Sequence, residues 1–176
     1  MGCGTGDLAV AAHQKGAFQV VGIDPASAML AQARLKDASI QWIEGSAENL
    51  PFSNGVFTVV MSAFVLRNLR GILDASLREF HRVLRPGGRF LALDLTRPKN
   101  PLIGAIHRFY LRWGVQWMGR LICGSRWPEN YLKDTIQTFM SPAEIVGKLS
   151  QAGFQNTKAT PLFFGVVHLI EGSKPW

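Results

Sequence analysis

Gly2, Gly4 and Gly6 alternate with Cys3, Thr5 and Asp7 at the start of the chain, and a carboxylate, Asp24, follows about 20 residues later. Three alternating glycines make a turn with almost no side-chain bulk. A bound molecule can approach its main-chain N–H and C=O groups closely, and glycine tolerates the positive φ such turns need. A carboxylate at the end of a second strand is suited to the two hydroxyls of a ribose, so the pair reads as a nucleoside-cofactor site. The spacing is G-x-G-x-G rather than the dinucleotide G-x-G-x-x-G, and Asp7 stands where the third fingerprint glycine would be. A carboxylate at a helix N-terminus opposes a pyrophosphate, whereas it tolerates a cationic group. S-adenosylmethionine has a ribose, an ammonium and a sulfonium and no phosphate, so it fits better than NAD.

The elements that must position these residues alternate between helical and strand patterns, as in an α/β fold with a mainly parallel sheet. A helix opens with Leu8, Val10, Ala11 and Ala12, and the run Phe18–Ile23 is a strand ending on Asp24. Pro25–Lys36 reads as a helix and Ile40–Ile43 as a strand that runs into the polar loop Glu44–Glu48. Val56–Met61 is a continuous apolar run, the pattern of a strand buried on both faces. Ile72–Leu84 is an amphipathic helix stopped by Pro86-Gly87-Gly88, and Arg89–Leu95 is the next buried strand. Ser141-Pro142-Ala143-Glu144 is a capping-box helix start, and the helix stops at Gly153. Phe154–Thr160 and Phe163–Ile170 read as an antiparallel pair that closes the sheet.

A chain of 176 residues, 47% of them hydrophobic, is expected to form one domain, 1–176. Its net charge of +7 favours an anionic partner or surface. Two cysteines far apart, Cys3 and Cys123, make neither a disulfide framework nor a metal site, and the chain reads as cytosolic with no metal. Residues 98–139 change in character: Leu102–Cys123 is apolar but interrupted by His107, Arg108, Arg112 and Arg120, which argues against a membrane span. This segment is expected to cap a substrate cavity. A glycine turn of this kind normally follows a buried central strand, yet only Met1 precedes Gly2. The chain is therefore expected to be N-terminally truncated, with the strand ending at Asp24 left with an unpaired edge.

Taken together, Gly2–Leu8, Gly22-Ile23-Asp24, Ala47-Glu48-Asn49-Leu50-Pro51-Phe52, Leu66-Arg67-Asn68 and Arg82–Gly88 resemble a class I S-adenosylmethionine-dependent methyltransferase. More narrowly, they resemble the UbiE-type C-methyltransferases of menaquinone and ubiquinone biosynthesis. The resemblance implies a Rossmann-like, doubly wound seven-stranded sheet ending in an antiparallel hairpin, here without its first strand. It implies that Gly2, Gly4, Thr5 and Gly6 hold the methionine moiety, Asp24 the ribose, and Ser46 and Ala47 the adenine. Ser46 departs from the usual Asp or Asn, Ala63 stands where many members have Ser, and Asp94 and Thr96 replace the usual Glu and Ser. The implied acceptor is a lipophilic quinol, with room for peripheral contact at the inner face of the membrane and for a homodimer.

Carbon methylation of a quinol needs a ring hydroxyl to lose its proton, so that charge spreads to the ring carbon. An arginine facing that oxygen stabilises the phenolate and a neighbouring amide orients it. Arg67 and Asn68, just after the strand Val56–Met61, are the expected pair. The competing expectation pairs Arg67 with a nearby acid and makes Asn68 a helix cap. Other small acceptors (a phenol oxygen, a sterol, an amine) and a non-catalytic remnant remain as alternatives. A nucleic-acid substrate is disfavoured, because no Asn-Pro-Pro-Tyr-like tetrapeptide follows Val56–Met61.

Overall fold

The computed structural model describes residues 1–96 and 140–176, so the expected cap segment 98–139 lies outside the described residues. In chain order the described elements are α1 (Asp7–Gln14), β1 (Val21–Asp24), α2 (Ser27–Lys36), β2 (Gln41–Glu44), β3 (Phe57–Ala63), a 3-10 turn (Leu66–Leu69), α3 (Leu73–Val83), β4 (Leu84–Leu95), α4 (Pro142–Gln151), β5 (Gln155–Leu162), a second 3-10 turn (Phe163–Gly165) and β6 (Val167–Ser173). The strands form two sheets: β1 beside β2, and β3-β4-β6-β5. β1 runs parallel to β2, with Val21 opposite Gln41 and Asp24 opposite Glu44, and β3 runs parallel to β4. β6 is antiparallel to both β4 and β5, the expected closing hairpin. This is an α/β, Rossmann-like arrangement with β1 and β3 each unpaired on one side among the described residues.

Two apolar clusters hold the layers. In the larger, α3 turns Leu73, Leu77, Phe80 and Val83 inward at helical spacing. Phe80 stacks on Phe90 of β4 with centroids 5.5 Å apart, Phe90 meets Phe154 at 5.6 Å, and Ile145 and Leu149 of α4 close the layer. The smaller cluster joins Ala9 of α1, Leu30 and Ala33 of α2, Ile40 and Trp42. The α4 start is the expected capping box: Ser141 Oγ accepts from the Glu144 N–H at 3.4 Å, and Glu144 Oε2 accepts from the Ser141 N–H at 2.6 Å.

Three expectations need correction. The helix expected over Ile72–Leu84 ends at Val83, and β4 starts at once, with Pro86-Gly87-Gly88 inside the strand rather than as the helix stop. The ammonium of Lys174 donates to the carbonyls of His81, Arg82 and Leu84 at 2.9, 3.3 and 2.7 Å, closing the helix end in place of a glycine cap. The apolar run at Val56–Met61 is not buried on both faces: Thr58 and Val59 are exposed, because β3 has a strand neighbour on one side only. Finally, β1 starts at Val21, and Phe18 stands 95% exposed outside it.

Candidate active site

The expected site residues gather at the carboxyl ends of β1, β2 and β3, where open α/β sheets bind ligands. The glycine turn adopts φ of 58°, 51° and 87° at Gly2, Gly4 and Gly6, the left-handed region that a side chain resists. The three differ in what stands beside them. A Cβ on Gly2 would lie 2.5 Å from Val65 and one on Gly6 would lie 2.6 Å from the Trp42 indole, whereas nothing lies within 4 Å of one on Gly4. Gly4 is thus the glycine whose open face a ligand can approach.

Asp24, 9% exposed at the end of β1, ties that turn to its strand. Its Oδ2 accepts the Gly4 N–H at 2.8 Å and its Oδ1 accepts the Ala26 N–H at 2.9 Å. A carboxylate has about four acceptor sites, so two remain for a pair of hydroxyls. Cys3 N–H donates to Ile23 O at 2.9 Å, and Gly6 N–H closes the turn on Cys3 O at 2.8 Å. Burial pushes the Cys3 thiol up from its ordinary value. Asp7, expected to tolerate a cationic ligand, faces a cation of the protein instead. Lys36 Nζ donates to it at 2.7 Å and Thr5 Oγ1 at 2.9 Å, and the Lys36 bond, then the Thr5 bond, hold its carboxyl below the ordinary range.

Ser46 and Ala47 follow β2, with Ala47 buried and Ser46 half-buried beside the turn Ser46–Asn49. The loop after them is fastened by α3. Arg82 donates to Leu50 O at 3.0 Å and Phe52 O at 2.7 Å, while Glu79 accepts the Leu50 N–H at 2.8 Å and pairs with Arg82 at 2.6 Å. The hydrogen bonds from Arg82 hold the Glu79 carboxyl low.

Arg67 lies in the 3-10 turn after β3, and its side chain is 10% exposed. Nη1 donates to Asp94 Oδ1 at 2.8 Å, and the Arg67 backbone N–H reaches Oδ2 at 3.3 Å. Asp94 is fully buried at the carboxyl end of β4 and also accepts the Leu95 N–H at 2.8 Å. The ion pair weighed in the sequence reading is therefore present. Among the described residues, Arg67 Nε is buried with no hydrogen-bond partner. The guanidinium sits 5.9 Å from the ring of Phe64, a non-glycine residue held at φ 59° and half exposed. Asn68 is exposed, and α3 starts from Ile72 without a side-chain cap, so Asn68 is not the cap of that helix.

Nothing local in the sequence signals the pairing of Asp7 with Lys36. The same holds for Thr96 Oγ1 and His168 Nδ1, which lie 2.7 Å apart in the interior. Asp94 and His168 face each other in the β4–β6 register, a signal that period-2 alternation carries once the pairing is known.

A sequence model of the "ubiE/COQ5 methyltransferase family" matches residues 1–174. The chain is 38% identical over 144 residues to the bovine "2-methoxy-6-polyprenyl-1,4-benzoquinol methylase, mitochondrial", a match covering 82% of this chain and 43% of that protein. It is 34% identical over 177 residues to the "Demethylmenaquinone methyltransferase" of Thermus thermophilus, covering 98% of this chain and 80% of that one. The chain thus spans less than half the length of the mitochondrial relatives it matches. Among solved structures, an S-adenosylmethionine-dependent methyltransferase from Mesorhizobium loti superposes with a TM-score of 0.70 at 20% identity, covering 98% of this chain and 88% of that chain. One from Thermotoga maritima gives 0.71 at 20% identity, covering 98% and 79%. These two likenesses speak to the fold, and the match along almost the whole chain speaks to descent. The chain belongs to the ubiE/COQ5 methyltransferase family.

Proposed function

We propose that this chain is an S-adenosylmethionine-dependent methyltransferase that methylates a ring carbon of a demethylmenaquinol-type prenylated quinol. The observation that carries the reading is Asp24: a buried carboxylate bound to the open glycine of the turn, with acceptor sites to spare. Gly2, Gly4, Thr5 and Gly6 would hold the methionine moiety, Asp24 the ribose hydroxyls, and Ser46 and Ala47 the adenine. The bound sulfonium supplies the methyl group. The Arg67 guanidinium would stabilise the phenolate left when the hydroxyl proton passes to solvent. Asp94 fixes the guanidinium plane, and the exposed Asn68 orients the acceptor. The named activities of the bovine and Thermus relatives support a quinol acceptor. A prenylated acceptor partitions into lipid, and a net charge of +7 draws the chain to anionic head groups, so it works from the cytoplasm at the membrane surface. Among the described residues no helix is long and apolar enough to cross a membrane.

The test supplies methyl-labelled donor and a reduced prenylated naphthoquinol, with label on a ring carbon as the expected product. Arg67→Ala should lower turnover about 100-fold with cofactor affinity unchanged, because it acts on charge that develops during transfer. Asp24→Asn should do the reverse, weakening cofactor binding about 10- to 100-fold. Label on a different acceptor, or none with cofactor bound, rejects the quinol assignment.

A further inference from the structure

Three non-glycine residues hold positive φ among the described residues: Phe64 at 59°, Asn156 at 52° and Phe163 at 45°. Asparagine enters that region readily, whereas a phenylalanine there is strained. Phe64 directly follows β3, at the edge where an open α/β sheet receives ligands. Its N–H donates to Leu93 O at 2.7 Å, extending the β3–β4 ladder by one residue. Asn68 N–H then donates to Val65 O at 2.8 Å, opening the 3-10 turn that carries Arg67. The chain passes from ladder to turn through the left-handed conformation of Phe64, which glycine would adopt without strain.

The phenyl ring that stands there instead does little for the fold. It joins neither apolar cluster and is 42% exposed. The group beside it is the Arg67 guanidinium, 5.9 Å from the ring centroid and oriented by the fully buried Asp94. That distance is at the outer limit of a cation–π contact, whose attraction at an exposed site is smaller than the strain of the backbone. The ties that set this geometry, Phe64 to Leu93, Asn68 to Val65 and Arg67 to Asp94, all lie within residues 64–94 and are independent of the residues around Met1.

We propose that Phe64 is the platform for the methyl acceptor: the acceptor's aromatic ring lies on the phenyl face in an offset stack, with its hydroxyl oxygen turned to the Arg67 guanidinium. The proposal rests on the reading of this site as one for a hydroxylated aromatic acceptor, and it adds the residue that selects the ring. Stacked aromatic rings settle with centroids about 4.5–7 Å apart. A ring in that range over Phe64 carries its oxygen beside the fixed guanidinium, where charge develops as the hydroxyl proton leaves. A saturated ring of the same size offers neither a flat face nor a quadrupole to match, so Phe64 favours a phenol or quinol over a sterol-type alcohol. The strained backbone is kept for what the ring binds.

The test titrates 1-naphthol, a redox-stable stand-in for a naphthoquinol head, into the full chain by calorimetry in the presence of S-adenosylhomocysteine. Its saturated counterpart, 1-decalol, is run beside it. One-to-one binding is expected, about 10-fold tighter for the naphthol. Phe64→Gly should weaken naphthol binding about 10-fold and decalol binding only about twofold, and Phe64→Tyr should keep the naphthol affinity of wild type. In transfer from labelled donor, Phe64→Gly should raise the acceptor KM about 10-fold with the cofactor Kd unchanged. Because glycine relieves the strain, the unfolding midpoint of Phe64→Gly should equal or exceed that of wild type, whereas loss of a packing phenylalanine would lower it by about 6–12 °C. Phe163→Gly, which relieves the same kind of strain in the β5–β6 turn, should leave naphthol binding unchanged. The proposal is overturned by naphthol binding that is absent, no tighter than decalol binding, indifferent to Phe64→Gly or equally weakened by Phe163→Gly, and by a fall in midpoint of the size given. Transfer to a quinol with an unaltered acceptor KM in Phe64→Gly sinks the platform and leaves the quinol reading standing. Phe64-dependent naphthol binding with no transfer to any quinol does the reverse.

Discussion

The two halves of the molecule are built on different economies of contact. The four-stranded half is held by side-chain burial: Phe80, Phe90, Leu77, Ile145 and Ile170 are fully buried in one continuous cluster. The β1–β2 half, which carries the glycine turn, enters that cluster through Ile23, Ala47 and Leu50, adds a smaller cluster centred on Trp42, and holds its turn by polar ties such as Gly4 to Asp24 and Cys3 to Ile23. A site that must open for a ligand is placed on the part with less apolar area to lose, and ligand binding then contributes stability there.

The sharpest way to break this comparison is to remove one large side chain from each half. Phe80→Ala should cost about 3–5 kcal/mol and lower the unfolding midpoint of the entire chain. Trp42→Ala should remove a similar amount, but exchange should show the loss confined to β1, β2 and α1, with β4 and β6 still protected. Equal loss of protection in both halves would show a single cooperative unit. Asp94→Asn should follow, at about 3 kcal/mol in denaturant unfolding, because it leaves the guanidinium of Arg67 buried without its counter-charge. Gly4→Ala is smaller in stability, about 1 kcal/mol for a side chain at positive φ, but should strongly weaken cofactor binding, since the added methyl stands on the open face.

The smallest effect concerns pH. His81 packs edge-on against Phe154 with centroids 5.1 Å apart, and burial, then the charge of Lys174, lower its pKa below 6.5. The unfolded chain therefore binds this proton more readily, so the stability it contributes is complete above pH 6.5 and is lost as pH falls through the lower folded value. His81→Phe should flatten that acid limb of the stability profile while leaving the plateau near neutrality almost unchanged. A profile as steep as wild type would assign the limb to other groups.

Much of the β1–β2 half was legible in the sequence because its signals are local: a glycine spacing and a carboxylate closing an apolar run. The alternation of elements and the antiparallel hairpin were legible for the same reason. The misread boundaries lie where distant residues decide. Lys174 closes α3 from the far end of the chain, so Pro86-Gly87-Gly88 is free to enter β4. The exposure of Thr58 and Val59 depends on which strands flank β3, which no property of the run Val56–Met61 encodes. Two segments singled out separately, Leu50-Pro51-Phe52 and the stretch from Arg82, are one structure, because Arg82 holds the carbonyls of Leu50 and Phe52. The partner of Arg67 was foreseen only as some nearby acid. Its identity needed the β3–β4 pairing that brings Asp94 alongside.

The indole of Trp42 has a consequence for how glycine signatures are interpreted. Built Cβ atoms on Gly6 and Gly22 would both strike it, at 2.6 and 2.3 Å, so the smoothness of those two positions accommodates a neighbour within the fold rather than a guest. Ring size at position 42 and bareness at 6 and 22 form one coupled choice: a smaller residue at 42 would open space for alanine at 22, whereas alanine at 22 would collide with the intact indole.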